Sequence, residues 1–176
     1  MEAAAGLLRR LVRSLAIWPS LKEWLESAAI LLLSVLAIAL IAEFGGLIRW
    51  QPRPLAWDLG LSVFFVPAFV EEAVFRGLLV PARGETSRPV LWIAASVAVF
   101  VLWHAFEALT FLTGAHVFLS PVFLACAGML GLGCAIVRYR TGSLWPCVLG
   151  HGLLVWFWHT WFGGPLLADL VRDIVP

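Results

Sequence analysis

The chain has 176 residues, 62% of them hydrophobic and only 13% charged, with a mean hydropathy of +0.96 and a net charge of +1. A water-soluble domain carries roughly 45–50% apolar and about 25% charged residues, so there is too little polar surface here to cover a globule in water. The near-neutral charge excludes the basic field of a nucleic-acid binder. Apolar runs near or above the spanning threshold of about 18 residues make lipid the implied solvent and a bundle of membrane helices the implied fold.

Taken in chain order, Ala5 to Trp18 places Leu7, Leu8, Leu11, Val12, Leu15 and Ala16 on one helical face, with Arg9, Arg10 and Arg13 mostly off it. That pattern predicts an amphipathic helix lying on the membrane surface. Pro19 and Ser20 end it and open the next helix. Span 1 is predicted over Leu25 to Ile48, and span 2 over Trp57 to Val80 between Pro54 and Pro81. Span 3 runs from Pro89 to Phe111, span 4 from Val117 to Val137, and span 5 from Ser143 to Phe162. The basic residues before the apolar stretch Ser27 to Ala42 resemble a leader, but the stretch lies far along the chain and lacks a clean small-x-small site, so it reads as a retained span. A weakly amphipathic tail, Pro165 to Val175, follows.

The expected architecture is therefore all-α: a polytopic transmembrane bundle of about five spans plus the N-terminal amphipathic helix. Residues 1–24 form the interfacial segment and residues 25–176 one transmembrane domain. Cys126, Cys134 and Cys147 sit in apolar segments, odd in number and without CxxC spacing. They read as small core residues rather than a disulfide framework or thiolate metal site. With the N-terminus in the cytoplasm, Arg9, Arg10, Arg13, Lys22, Arg83, Arg88, Arg138 and Arg140 fall inside, against Arg49, Arg53 and Arg172 outside. That orientation is the one the positive-inside rule favours.

Ionisable groups within a membrane span are costly and point to function. Span 2 carries Glu71, Glu72 and Arg76, span 3 carries His104, and span 5 carries His151, with His159 two turns later. Glu43 and Glu107 fall near span ends, within reach of the interface. Glu72 and Arg76 stand four residues apart and meet on one helix face. Glu71, about 100° round the helix, must find its partner on another span. A carboxylate without a countercharge in a low-dielectric site is suited to accept a proton, as a general base must.

Depth allows the three to meet. Glu71 is 12 residues from Arg83, His104 is 16 from Arg88 and His151 is 11 from Arg140. At 1.5 Å per residue these correspond to about 18, 24 and 16 Å, which overlap once tilt and helix-end error are allowed. A lone histidine in a span also serves as a helix–helix hydrogen-bond donor, and a Glu-Glu with an i+4 Arg also serves as a clasp. The joint pattern is harder to explain as glue, because interhelical hydrogen bonds contribute only about 0.6–2 kcal/mol each.

EExxxR (Glu71, Glu72, Arg76), then FxxxH (Phe100, His104), then a histidine on the last span (His151, preceded by Gly142-Ser143-Leu144-Trp145-Pro146) resembles the CAAX-protease and bacteriocin-processing (CPBP, or ABI) family. The resemblance covers about residues 57–160. It implies a glutamate-dependent intramembrane endopeptidase without a cofactor, acting on a membrane-associated peptide or protein. It also implies a water activated by Glu71, oriented by His104, with His151 facing the substrate carbonyl and Glu72 and Arg76 shaping the site. Such a minimal architecture fits a prokaryotic plasma membrane.

One position departs from the pattern. The family usually carries an Asn four residues after the last His, where this chain has Val155. The chain has no Asn, and its single Gln, Gln51, lies in a loop. Trp156 and Thr160 are the candidate substitutes as oxyanion donors. Two rival readings stay open: a zinc-dependent protease on the same Glu71, His104 and His151 set, and a non-catalytic scaffold or immunity protein that keeps the fold.

Overall fold

The computed structural model of the chain describes residues 2–54, 57–112 and 114–165. Of the tail expected over Pro165 to Val175, all but Pro165 lies outside these described residues. The described residues are helical almost throughout: α1 (Glu2–Ala16), α2 (Leu21–Phe44), α3 (Trp57–Val63), α4 (Val70–Glu72), α5 (Pro89–Thr110), α6 (Pro121–Thr141) and α7 (Trp145–Trp161). Wide π-type turns over Phe64–Phe69 and Ala73–Leu78 flank α4, and a tight turn over His116–Leu119 precedes α6.

Among the described residues three helices, α2, α5 and α6, are long and apolar enough to cross a membrane. The other two expected spans take a different form. The segment from Trp57 to Leu78 is broken rather than continuous. Val66 leaves helical geometry (φ −134°, ψ 116°) directly before Pro67, because the proline ring disfavours the α region for the residue before it. Pro67 then stands in the first turn of a new helical segment, where its missing N–H is least costly. The fifth span, α7, is a 17-residue helix.

Boundaries follow local chemistry. Ser20 caps α2 through a reciprocal box with Glu23, Ser20 N–H donating to Glu23 Oε2 at 2.8 Å. The helix therefore starts at Leu21, where Pro19 and Ser20 were expected to open it, one turn ahead of the span expected from Leu25. Pro89, Pro121 and Pro146 each open a helix. Pro121 places the start of α6 four residues later than the Val117 expected from hydropathy, with His116–Leu119 a separate turn. Gly142, at φ 71°, ends α6 in the left-handed conformation that glycine adopts without a Cβ penalty.

The helix α6 occupies the centre: 56% of its apolar window is buried, against 22% for α2 and 17% for α5. Its small residues allow this. Gly133 faces Ser34 of α2 so closely that a Cβ there would collide with the hydroxyl. Cys126, Leu130, Cys134 and Val137 join Ile38 and Ala42 of α2 and Cys147 of α7 in one core cluster. Small residues that let membrane helices approach are the usual source of such packing. All three cysteines are buried, reduced members of this core.

Two polar links close the bundle's ends. Arg10 of α1 donates to the carbonyls of Leu78 (2.9 Å) and Leu79 (3.3 Å), which the preceding helical turn leaves without N–H partners. Ser14 O accepts from Leu144 N–H at 3.0 Å. The apolar face expected for α1 is thus divided: Leu11 packs against Gly77, while Leu8 and Val12 stay exposed. At the other end an extended strip lies along α7, with Gln51 N–H and Arg53 N–H donating to the carbonyls of Trp161 and Thr160 at 2.9 and 2.8 Å.

Candidate active site

The wide turns around α4 fix how span 2 presents its charges. The Phe75 carbonyl accepts from Ser96 Oγ of α5 at 2.7 Å. Ser96 lies one turn before Phe100 and two before His104, so this bond sets the height of the EExxxR segment against α5. Such turns recur at functional positions in helices.

Glu71, Glu72, Arg76, His104 and His151, drawn from three separate stretches of chain, are all buried and converge. Glu71 Oε2 lies 4.0 Å from His104 Nε2 and 3.8 Å from His151 Nε2. His151 Nδ1 lies 2.9 Å from Glu72 Oε1. Arg76 Nη1 is 3.3 Å from that same Oε1, and its guanidinium carbon sits 4.1 Å above the Phe100 ring. Gly131 of α6 makes this possible, because a Cβ there would come within 2.9 Å of Arg76 Nη2 and 3.1 Å of Phe100 Cδ1.

The hydrogen bonds assign the ring protons. His104 Nδ1 faces the Phe100 carbonyl at 2.9 Å. A carbonyl only accepts, so Nδ1 carries the proton. The Glu72 carboxylate likewise only accepts, so His151 Nδ1 carries a proton too. In its neutral form each ring therefore turns an Nε2 lone pair toward Glu71. The carboxylate and two imidazole nitrogens form a pocket of acceptors, suited to a group that brings protons or positive charge.

Two surface grooves among the described residues lie elsewhere. One of about 890 Å³ follows Arg9, Arg10, Arg13 and Glu85 along α1, and one of about 300 Å³ lies among Ser20, Lys22, Arg83 and Arg140. Neither is lined by Glu71, His104 or His151. Physical chemistry outweighs groove size here, because the convergent polar groups are what a reaction needs. The cluster reaches its surroundings through the slightly exposed side chains of Glu71 and His104 and through half-buried Glu107.

The oxyanion candidates lie further along α7. The Trp156 ring rests against Gly60 of α3. Thr160 is buried nine residues beyond His151, about 13 Å along the helix axis. His159, two turns beyond His151, is buried beside Trp158 and Gly164. Glu107, half-buried near the end of α5 as its place near a span end suggested, also belongs to the cluster, which sequence reasoning did not foresee. Its carboxylate lies within 4.8 Å of the Glu71 and His104 ligand atoms. The signal was its position three residues after His104, on the same helix face.

The fold and cluster define an integral membrane protein of apolar helices with a buried Glu/His/Arg centre. Residues 52–157 match the family described as type II CAAX prenyl endopeptidase Rce1-like. The chain belongs to that family, and so to the class of CAAX-type membrane proteases. No curated protein and no solved structure matched the chain.

Proposed function

We propose that the chain is an intramembrane endopeptidase that hydrolyses a peptide bond of a membrane-associated protein, using a water activated by Glu71. The observation that carries this is the placement of Glu71 Oε2 3.8–4.0 Å from two histidine Nε2 atoms. That gap is too long for a direct hydrogen bond. It suits two acceptors sharing one water at about 2.8 Å from each.

A water there donates one proton to Glu71 and the other to the His104 nitrogen, leaving its oxygen lone pair to attack the substrate carbonyl carbon. Glu71 takes the proton as the C–O bond forms. His151, carrying at Nε2 a second proton taken from solvent before the substrate binds, donates to the developing oxyanion and keeps that proton as the carbonyl re-forms, with Glu72 behind it offsetting the imidazolium charge. As the C–N bond breaks, the proton held by Glu71 passes to the leaving amine. Val155 leaves the usual amide donor missing, and loss of one such donor typically costs about 10²–10³ in rate. The charged His151–Glu72 pair is the available compensation.

The test is proteolysis in reconstituted vesicles with candidate membrane-anchored substrates, wild type beside Glu71→Ala, each with and without excess chelator. A product that resists chelation and disappears with Glu71→Ala is the expected result. A product that persists in Glu71→Ala removes the general-base assignment. One that needs added Zn²⁺ transfers the chemistry to the metal.

A further inference from the structure

We propose that Glu71, His104 and Glu107 form a binding site for a divalent transition-metal ion such as Zn²⁺, and that the bound ion blocks the peptidase. The blocking role rests on Glu71 acting as the base; the binding site itself does not. One carboxylate oxygen from each glutamate and one ring nitrogen of His104 all lie within 4.8 Å of one another. Around a tetrahedral zinc with bonds of about 2.0–2.2 Å, such atoms stand roughly 3.4 Å apart. Small side-chain rotations close that difference.

A second observation points to a ligand. The Glu71 side chain is only 9% exposed, and its Oε2 has no hydrogen-bond partner among the described residues. The two described groups it faces at 3.8–4.0 Å, His151 Nε2 and His104 Nε2, each present a lone pair when neutral. His104 is already oriented for ligation. Its Nδ1–H is held by the Phe100 carbonyl at 2.9 Å, the second-shell bond that fixes the tautomer of metal-binding histidines. Two carboxylates match the ion's double charge. Arg76, which would oppose a cation, is itself held by Glu72 at 3.3 Å and by the Phe100 face.

Access and consequence follow from position. Glu107 is half-buried, one turn beyond buried His104 toward the end of α5. An ion arriving from that end meets Glu107 first and Glu71 last. Once Glu71 ligates the ion, its lone pair is no longer free to take a proton from water. The ion thus occupies the base itself.

Chelator-stripped protein in nanodiscs is titrated with Zn²⁺ against a chromophoric zinc chelator, which reads binding without any substrate. Wild type is expected to bind one ion saturably. Glu107→Gln is expected to weaken binding at least about tenfold, on the scale at which even outer-shell losses act. Glu107→His, which restores a ligand, is expected to recover it. Tryptophan fluorescence of each variant monitors folding. Absence of saturable binding, or equal affinity in wild type and Glu107→Gln, overturns the site. With a cleavable substrate, Zn²⁺ is expected to slow wild type at concentrations that spare Glu107→Gln. Acceleration by Zn²⁺ overturns the blocking role. If no substrate is cleaved, the proposed activity fails while the binding arms still decide the site.

Discussion

Removing the charge of Glu72 probes the part of the cluster that holds the others in place. Glu72 and Arg76 are both fully buried, with Nη1 and Oε1 3.3 Å apart. At an effective dielectric of about 20, that separation gives about 5 kcal/mol of attraction, and the Phe100 face beneath Arg76 adds about 2 kcal/mol when desolvated. Glu72→Gln keeps the shape and leaves a guanidinium buried without a countercharge, a change that typically costs about 3–5 kcal/mol. Arg76→Met leaves the carboxylate in the same position and is expected to cost a similar amount. The double variant buries no unpaired charge, so its loss should fall well short of the sum, with a coupling of about 2–3 kcal/mol. Equilibrium unfolding in mixed micelles, followed through the ten tryptophans, measures all three. Losses that add to within about 0.5 kcal/mol would refute the view that the pair acts as a unit.

Gly131→Ala should cost about 1–3 kcal/mol in the same assay, because the new methyl meets Arg76 at 2.9 Å and Phe100 at 3.1 Å. Gly128→Ala, whose Cβ meets only Val101 at 3.6 Å, should be neutral or stabilising by up to about 1 kcal/mol; equal losses at both would count against the tight fit at Gly131. Ser96→Ala strands the buried Phe75 carbonyl, at about 1–3 kcal/mol, and should lower turnover as the height of Glu71 against His104 loosens. His104→Ala and His151→Ala should each reduce kcat at least about 10²-fold in vesicles, with unfolding midpoints compared to separate chemistry from folding.

Much of this arrangement was legible in the sequence. Charges inside apolar runs identify themselves, so Glu71, Glu72, Arg76, His104 and His151 could be chosen by their cost alone. Their similar depth followed from the helix rise. The break in span 2 was legible in principle, since Pro67 stands in the middle of it and sets Val66 out of the helix. Hydropathy averages over a window and passes across it. Glu107 was assigned to the interface because a carboxylate near a span end usually reaches water. Only tertiary packing brings Glu71 against that turn of α5. The docking of α1 was hidden for the same reason. Its apolar stripe predicts a lipid surface, and only the folded chain shows that Arg10 and Leu11 are taken up by the end of the Ala73–Leu78 turn.

The two adjacent glutamates carry a final argument. They share residue type, helix and depth, and differ only in the direction each faces. Glu72 looks toward donors: the His151 Nδ1–H at 2.9 Å and the Arg76 guanidinium at 3.3 Å. Its charge is compensated, so it serves as the fixed group that holds two other side chains. Glu71 looks toward lone pairs at 3.8 and 4.0 Å. It gains most from whatever brings a proton or a cation between them. The proposed hydrolysis with Glu71 as base and the proposed inhibition by a captured metal ion both draw on that one asymmetry. Exchanging the roles should therefore fail. In Glu71→Gln the fixed group remains, and unfolding stability should stay within about 1 kcal/mol of wild type while turnover is lost. In Glu72→Gln stability and turnover should fall together. Loss of about 3 kcal/mol or more in Glu71→Gln would mean that both carboxylates are structural.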